Sequence, residues 1–199
     1  MKSVLITGFE PFDEHKTNPS QIIAEHLSGS VVGDVRVVGL TLPVEFGKDT
    51  ELMCSAIADI KPAVIISLGL DDAAPAIKIE MFAMNHRTVD ADQTLGPIIP
   101  HGPAAYFATV DVDRVGKAMG KQAGVPVIRH GYAGSYLCNH IFYQTLHYAA
   151  VNQLKAQVGF IHVPLAEDPA HIDADRFSLP IDRMIAAASA AIKEAIIGL

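Results

Sequence analysis

The sequence predicts an α/β fold in which helices cover both faces of a mostly parallel sheet. Short apolar segments of strand length alternate with longer segments whose apolar residues recur at helical spacing, and this alternation is typical of such folds. The chain has 199 residues, half of them hydrophobic, which is enough for one domain with a sizeable core. We therefore expect a single domain over residues 1–199.

The N-terminal half predicts four strands and two helices. Asn18 is a possible N-cap of the first helix, and Pro19 suits its first turn. Lys61 and Pro62 end the second helix. The fully apolar run that Gly69 ends is typical of a buried central strand. The predicted strands are 4–7, 35–40, 63–68 and 77–84, and the predicted helices are 19–27 and 46–60.

The C-terminal half continues the alternation of helices and strands. Its first helix is amphipathic and is closed by Gly124, and its last helix carries apolar residues at helical spacing over a long stretch. The predicted helices are 111–123, 138–152 and 180–197, and the predicted strands are 125–128 and 158–162.

Composition and charge exclude several classes of protein. The formal net charge of -7 argues against a nucleic acid or an anionic membrane as partner. No apolar stretch approaches the length of a membrane span, and the apolar run near the N-terminus is too short for a signal peptide. The only cysteines are Cys54 and Cys138, so no disulfide framework is implied and a reducing, cytoplasmic compartment is expected.

The sequence carries no sign of a cofactor. Gly8 follows a predicted strand, but neither a second and third glycine at dinucleotide-binding spacing nor a phosphate-loop lysine comes after it. Histidines and carboxylates do not show the spacing of zinc-binding motifs. We therefore expect neither a bound metal nor an organic cofactor.

Cys138 is the candidate nucleophile. It follows a glycine-containing turn and stands at the start of a predicted helix, where the positive end of the helix macrodipole favours the thiolate. The thiolate is the nucleophilic form of cysteine. The alternative is that Cys138 is a buried space-filling residue, as free cysteines often are.

His162 and Glu80 are the candidate base and orienting carboxylate. His162 lies at the end of a short apolar strand that Pro164 terminates, and strand ends in α/β proteins commonly open onto the functional site. Glu80 interrupts an otherwise apolar stretch. Its alternative is simple alternation in a half-exposed strand, with Lys78 and Glu80 both facing solvent.

Six other histidines are weaker candidates for the base. His140 is two residues from Cys138 on the same predicted helix, and residues at that spacing do not share a helix face. Five histidines lie in polar or loop-like segments and are expected to be exposed: His15, His26, His86, His101 and His171.

Several separated segments resemble the pyroglutamyl peptidase I family, also called pyrrolidone-carboxylate peptidase. The family's cysteine motif is matched by residues 133–143, its histidine motif by 159–164, and its N-terminal signature by 4–12 followed by 17–20. A family loop is also matched by residues 101–106, and the similarity runs from Val4 to Pro164 at near-constant spacing.

The resemblance implies a fold, a reaction and a set of residues. The fold would be a three-layer α/β/α sandwich with a mixed sheet, forming one catalytic domain. The reaction would be removal of an N-terminal pyroglutamyl residue from a peptide through a thioester on Cys138, with His162 and Glu80 completing the triad. Family members are commonly homotetramers.

The resemblance also implies a pocket for the pyroglutamyl lactam ring. Phe9 and Phe12 would flank the ring, Leu137 would lie nearby, and backbone groups near Leu70 would bond the lactam edge. Asn18 is a further candidate substrate-binding residue. Core packing of the two phenylalanines and helix capping by Asn18 are the alternatives.

The chain departs from the family pattern near the carboxylate segment. Met81 replaces a basic residue, residues 69–75 replace a glycine- and arginine-containing stretch, and Asp90 falls at the position of an arginine thought to help the oxyanion. Arg87 lies close enough in sequence to substitute for that guanidinium. These changes leave open a cysteine amidohydrolase acting on another small cyclic or acylamino substrate, and a non-catalytic relative that only binds pyroglutamyl ends.

Overall fold

The computed structural model describes residues 2–13, 15–88, 94–167 and 175–197. The helices within those residues are α1 Pro19–Leu27, α2 Lys48–Ile60, α3 Val112–Ala123, α4 Leu137–Val151 and α5 Ile181–Ala195. The strands are β1 Ser3–Phe9, β2 Val31–Val32, β3 Val35–Leu42, β4 Val64–Leu70, β5 Ile77–Met84, β6 Arg87–Thr88, β7 Thr94–Gly96, β8 Ala105–Phe107, β9 Val127–Tyr132, β10 Gln157–Val163, β11 Leu165–Ala166 and β12 Ser178–Leu179.

One mixed, mostly parallel sheet forms the centre of the fold. Its strand order is β2-β3-β1-β4-β10-β5-β8, and β9 also pairs with β5. The β1–β3, β1–β4, β4–β10 and β5–β9 pairs are parallel, whereas the β2–β3, β5–β10 and β5–β8 pairs are antiparallel. The predicted α/β class with a mixed, mostly parallel sheet is confirmed.

Helices cover both faces of the sheet and bury two separate cores. Because successive strand residues point to opposite faces, Ile66 of β4 packs with α1, α3 and α5, and its neighbour Ile65 packs with α2 and α4. Every residue of β4 is buried, as the apolar run predicts for a central strand. Replacing one such isoleucine with alanine typically costs about 2–5 kcal/mol of unfolding free energy. The three-layer α/β/α arrangement is therefore confirmed.

Strand pairing brings several candidate residues to one edge of the sheet. The parallel β4–β10 register pairs Gly69 with His162 and Leu70 with Val163. The antiparallel β5–β10 register pairs His162 with Lys78, so Glu80, two residues further along β5, points to the same face as Lys78. β4 and β10 end at this edge, and β5, which runs antiparallel to β10, begins there, so the edge receives both the imidazole and the carboxylate.

Several predicted element boundaries differ from the structure, and two of these differences have identifiable reasons. Helix α2 begins at Lys48 rather than at position 46, because Gly47 takes a φ of 89° that no helix contains. Strand β9 runs to Tyr132, whereas the predicted strand ended at Ile128. β9 has β5 as its strand partner and is largely exposed, and polar residues are compatible with an edge strand. Across the described ranges of the chain, no helix is long and apolar enough to cross a membrane.

Candidate active site

A cavity of about 450 Å³ opens at the carboxyl ends of β1, β4 and β10. The lining includes all eight candidate site residues, which are Phe9, Phe12, Asn18, Leu70, Glu80, Leu137, Cys138 and His162. Residues from separate segments of the chain therefore meet around one small volume. Such a concave site with a few converging polar groups is the usual form of a small-molecule pocket.

Cys138 lies in the first turn of α4, at the wall of this cavity. The helix begins at Leu137 with Tyr136 at its N-cap, and Gly134 in the preceding turn takes a φ of 77°. That left-handed conformation suits glycine, which has no Cβ to clash. The half-buried thiol is thus placed at the positive end of the helix macrodipole, which stabilises a thiolate.

A hydrogen-bonded chain links Cys138, His162 and Glu80. The Nδ1–H of His162 donates to Glu80 Oε1 at 2.7 Å, and the His162 side chain also shares a hydrogen bond with Cys138. Because Nδ1 is engaged by the carboxylate, Nε2 is the nitrogen left for the thiol. Glu80 has no exposed surface, so the interpretation of this residue as a solvent-facing strand residue is wrong.

The groups around His162 favour its protonated form. Burial lowers the pKa of the imidazole, but the negative charge of Cys138 and the hydrogen bonds that His162 makes with Cys138 and Glu80 outweigh burial and raise the pKa to about 10. The imidazole therefore carries a proton at neutral pH and lies next to the Cys138 sulfur. A thiolate–imidazolium pair is a nucleophile activated by an adjacent base.

Gly69 provides the space in which the thiol and the imidazole meet. A Cβ at this position would lie 2.7 Å from Cys138 Sγ and 3.3 Å from His162 Cδ2. It would also lie 3.0 Å from Cζ of Phe160, whose ring packs 4.9 Å from that of His162. Any side chain at position 69 would thus displace the thiol from its partner.

A second acid–base pair borders the site. Lys78 Nζ donates to Asp71 Oδ2 at 2.6 Å, and both side chains are largely buried. Partial burial opposes ionisation of Asp71, but the hydrogen bond from Lys78 and the charge of His162 prevail and lower the pKa of the carboxyl group. Asp71 and Asp72 both line the cavity, and each carboxylate is paired with a cation, because Arg176 lies 2.9 Å from Asp72 Oδ2.

His130 is a site residue that the sequence analysis missed. Its Nδ1 lies 2.8 Å from Glu80 Oε2, and its ring lines the same cavity. The predicted strand stopped at Ile128, which left His130 in a loop. The signal that could have found it is the register of β9 on β5, which pairs His130 directly with Glu80.

The predicted lactam-binding residues occupy different environments within the lining. Phe9 is 3% exposed and belongs to the core on the α2 and α4 side, so it both packs and lines the cavity. Phe12 makes an edge-to-face contact with His15 at 5.4 Å between ring centroids. Asn18 is the N-cap of α1, and its Oδ1 accepts from the backbone N–H of Ser20 at 3.0 Å. The helix-cap interpretation of Asn18 is therefore confirmed.

The remaining predictions concern Arg87, Asp90, the other histidines and a metal site. The Arg87 guanidinium lies 5.8 Å from the Phe46 ring centroid, and Arg87 is not among the residues that line the cavity. Asp90 and His171 lie outside the described residues. The expected exposure is wrong for His15, whose ring packs on Phe12, and for His86, whose backbone oxygen accepts from Asn139 of α4; both residues are half-buried. His26 and His101 are exposed, as expected. In the described ranges, no group of three or more histidine, cysteine or acidic side chains is arranged to hold a metal ion.

Comparison with known proteins identifies relatives over nearly the whole chain. The family model described as pyroglutamyl peptidase matches residues 2–197. A pyrrolidone-carboxylate peptidase of Pyrococcus furiosus is 40% identical over 167 residues, covering 81% of this chain and 80% of the relative. Pyrrolidone-carboxylate peptidase 2 of Photorhabdus laumondii is 34% identical over 201 residues, covering 98% of this chain and 92% of the relative.

Solved structures show the same likeness. A mutant pyrrolidone carboxyl peptidase of Pyrococcus furiosus superposes with a TM-score of 0.91 at 34% identity and 99% coverage of both chains. The pyrrolidone carboxyl peptidase of Thermococcus litoralis gives a TM-score of 0.90 at 32% identity, covering 98% of this chain and 94% of that one. The solved relatives agree with the three-layer fold. This chain belongs to the pyroglutamyl peptidase family of hydrolases.

Proposed function

We propose that this protein is a cysteine peptidase that removes an N-terminal pyroglutamyl residue from peptides, using Cys138, His162 and Glu80 as a catalytic triad. The observation that carries the proposal is the buried hydrogen-bonded chain from Glu80 through His162 to Cys138, at the wall of a small cavity. The substrate class is supported by the names of the relatives, which are pyrrolidone-carboxylate peptidases.

The first half of the reaction forms an acyl-enzyme. The Cys138 thiolate attacks the carbonyl carbon of the pyroglutamyl residue, and the carbonyl oxygen gains the negative charge of a tetrahedral intermediate. Backbone N–H groups in the first turn of α4 have no partner within the helix and can stabilise that oxyanion. His162 then donates its proton to the leaving nitrogen as the C–N bond breaks, which leaves a thioester on Cys138.

The second half of the reaction releases the product. Neutral His162 removes a proton from water, the hydroxide attacks the thioester, and collapse of the intermediate returns the thiolate and frees pyroglutamate. Glu80 holds the imidazole through Nδ1 and stabilises its positive charge in both halves. The shortened peptide leaves after the first half and pyroglutamate after the second.

The cavity suits a small neutral ring. Phe9, Phe12 and Leu137 give it apolar walls, and Leu70 ends the strand beside it. A pyroglutamyl lactam carries no charge, whereas an N-terminal glutamate carries an ammonium and a side-chain carboxylate. Burying an unpaired charge against apolar walls is costly, so the pocket favours the lactam over the open-chain residue.

A cysteine amidohydrolase acting on another small cyclic or acylamino substrate is the second candidate. The observation that favours it is that Asp71 and Asp72 line the cavity and belong to a segment whose sequence departs from the family pattern. Activity on such a substrate would use the same nucleophile. The intact set of Cys138, His162 and Glu80 argues against a non-catalytic, pyroglutamyl-binding relative.

Three further proposals concern the setting of the enzyme. We propose that residues 1–199 form a single catalytic domain, which the two cores on one shared sheet support. A cytoplasmic location fits two free cysteines and a nucleophile that must stay reduced. The homotetramer implied by the family resemblance stays a prediction.

Hydrolysis of a chromogenic pyroglutamyl amide tests the proposed function. We expect turnover by the purified chain and none by Cys138→Ser, because a serine hydroxyl stays protonated at neutral pH and lacks the anionic nucleophile that a thiol can supply. The matched control is Cys54→Ser, since burial and the nearby charge of Asp49 raise the pKa of that thiol and keep it unreactive. Equal turnover of a prolyl amide, which lacks the lactam oxygen, would count against pyroglutamyl specificity, and turnover of acylamino amides alone would favour the second candidate.

A further inference from the structure

Glu80 is shared between two histidines. His162 Nδ1 lies 2.7 Å from Oε1, and His130 Nδ1 lies 2.8 Å from Oε2. The His162 contact belongs to the proposed triad. The His130 contact has no part in that scheme, yet it involves the same carboxylate and the same cavity.

We propose that His130 is a positioning residue that holds Glu80 in place for His162, so that the site works as a four-residue chain. This inference rests on the proposed function of Cys138, His162 and Glu80. His130 acts through the carboxylate, because the atom it contacts is the Glu80 oxygen that His162 leaves free.

Because Glu80 is buried, its carboxylate needs the hydrogen bond that His130 donates. The carboxylate is 0% exposed, so water does not solvate it freely, and an ionised carboxylate needs donors on both oxygens. His162 supplies a donor to Oε1 and His130 supplies one to Oε2. Without His130, Oε2 would be a buried charged acceptor with no donor, and the carboxylate would be free to rotate away from His162.

Strand pairing makes the contact a fixed feature of the fold. His130 on β9 and Glu80 on β5 are register partners in a parallel pair, so their side chains leave the sheet on the same face. His162 reaches the other carboxylate oxygen from β10, which pairs with β5. Glu80 therefore lies between two imidazoles that come from different strands.

The contact also determines which nitrogen of His130 carries hydrogen. An ionised carboxylate only accepts hydrogen bonds, so His130 must hold a hydrogen on Nδ1. A replacement that keeps a donor at the Nδ1 position should therefore preserve the function, and one that places its donor at the Nε2 position should not. Asparagine is the first kind of replacement and glutamine is the second.

The test compares His130→Leu, His130→Asn and His130→Gln in a Cys54→Ser background, so that Cys138 is the only thiol. We expect His130→Leu to lower kcat on a pyroglutamyl amide about tenfold with little change in KM, which corresponds to about 1.4 kcal/mol. His130→Asn should stay within about threefold of the parent because it keeps the donor, and His130→Gln should resemble His130→Leu.

The matched control is His147→Leu. His147 is also half-buried and its Nδ1 also makes one hydrogen bond, to the Tyr106 hydroxyl at 3.0 Å, but it does not line the cavity. Removing it should leave kcat within about twofold of the parent, as for a change away from the site. This control separates loss of a histidine in general from loss of the contact with Glu80.

The rate of Cys138 alkylation by iodoacetamide gives a second readout that needs no substrate. It should fall in His130→Leu and be retained in His130→Asn. If the parent alkylates rapidly but does not hydrolyse pyroglutamyl amides, the proposed function fails while the alkylation series still decides the role of His130. Normal kcat and normal alkylation in His130→Leu would overturn the inference. Equal impairment of His130→Asn and His130→Gln would also overturn it, and that comparison stands even if the leucine variant does not fold.

Discussion

Glu80→Gln removes the charge beneath His162 and keeps the length of the side chain. The buried carboxylate accepts from His162 at 2.7 Å and from His130 at 2.8 Å. A carboxamide has one acceptor oxygen and one amino group, so it cannot accept from both imidazoles. The amino group of the carboxamide will face the Nδ1–H of either His130 or His162, so two donors will oppose each other. The imidazolium form of His162 also loses the negative charge that stabilises it.

The size of the effect follows from these contacts. A hydrogen bond to a charged group contributes about 1.5–3 kcal/mol, and two unit charges about 4 Å apart attract by about 4 kcal/mol at an effective dielectric constant near 20. The two figures describe overlapping parts of one interaction, so their joint loss is about 3–5 kcal/mol. At about 1.4 kcal/mol for each tenfold change, kcat should fall by about two to four powers of ten.

The assay is turnover of a pyroglutamyl amide per mole of folded enzyme, counted by alkylation of Cys138. The control is Asp49→Asn, because Asp49 and His140 form a separate buried carboxylate–histidine pair at 2.9 Å that does not line the cavity. This control should lower Tm and change kcat by less than about threefold. A kcat for Glu80→Gln within about threefold of the parent, or an equal loss in Asp49→Asn, would refute the reasoning.

Three further outcomes are expected. Gly69→Ala should lower kcat at least about tenfold with the fold retained, because its Cβ would lie 2.7 Å from Cys138 Sγ; kinetics and circular dichroism together check this, and an unchanged kcat would contradict it. Gly8→Ala should instead prevent stable folding, since its Cβ would lie 2.1 Å from the backbone oxygen of Ser20, and a Tm near the parent value would show that this contact is relieved. The kcat/KM profile should fall as pH rises through about 10, where His162 loses the proton that the leaving amine needs; a fall near pH 6.5 would show that Cys138 and Glu80 do not raise its pKa.

The sequence predicted the residues whose roles depend on local pattern. Cys138 could be found from a turn followed by a helix, and His162 from an apolar strand that ends at Pro164. Glu80 remained ambiguous, because period-two alternation cannot tell whether a second layer of helix covers that face of the strand. Here α4 does cover it: Asn139 of α4 accepts from the N–H of Met84 on β5 at 2.9 Å.

The residues that were missed depend on contacts between distant segments. His130 meets Glu80 across 50 positions of sequence, through a strand whose polar residues and Gly131 resemble a loop. His140 pairs with Asp49 across 91 positions, although the helix periodicity correctly indicated that it points away from Cys138. Register between strands and the packing of one helix on another are not encoded in any single window of sequence, so these pairs emerge only from the folded chain.

The Asp49–His140 pair belongs to the scaffold and does not line the cavity. Asp49 also accepts from the backbone N–H of Gly47 at 2.9 Å, so it joins the start of α2 to α4. The side chain of Tyr136, at the mouth of the cavity, is 44% exposed and packs edge-to-face on Phe46 with 5.3 Å between ring centroids. Substitutions that change only the exposed side chain of Tyr136 alter the mouth of the cavity and leave the hydrogen bond between Asp49 and His140 intact. Relatives with the same scaffold can therefore differ in the leaving peptides that they accept while the nucleophile stays in place.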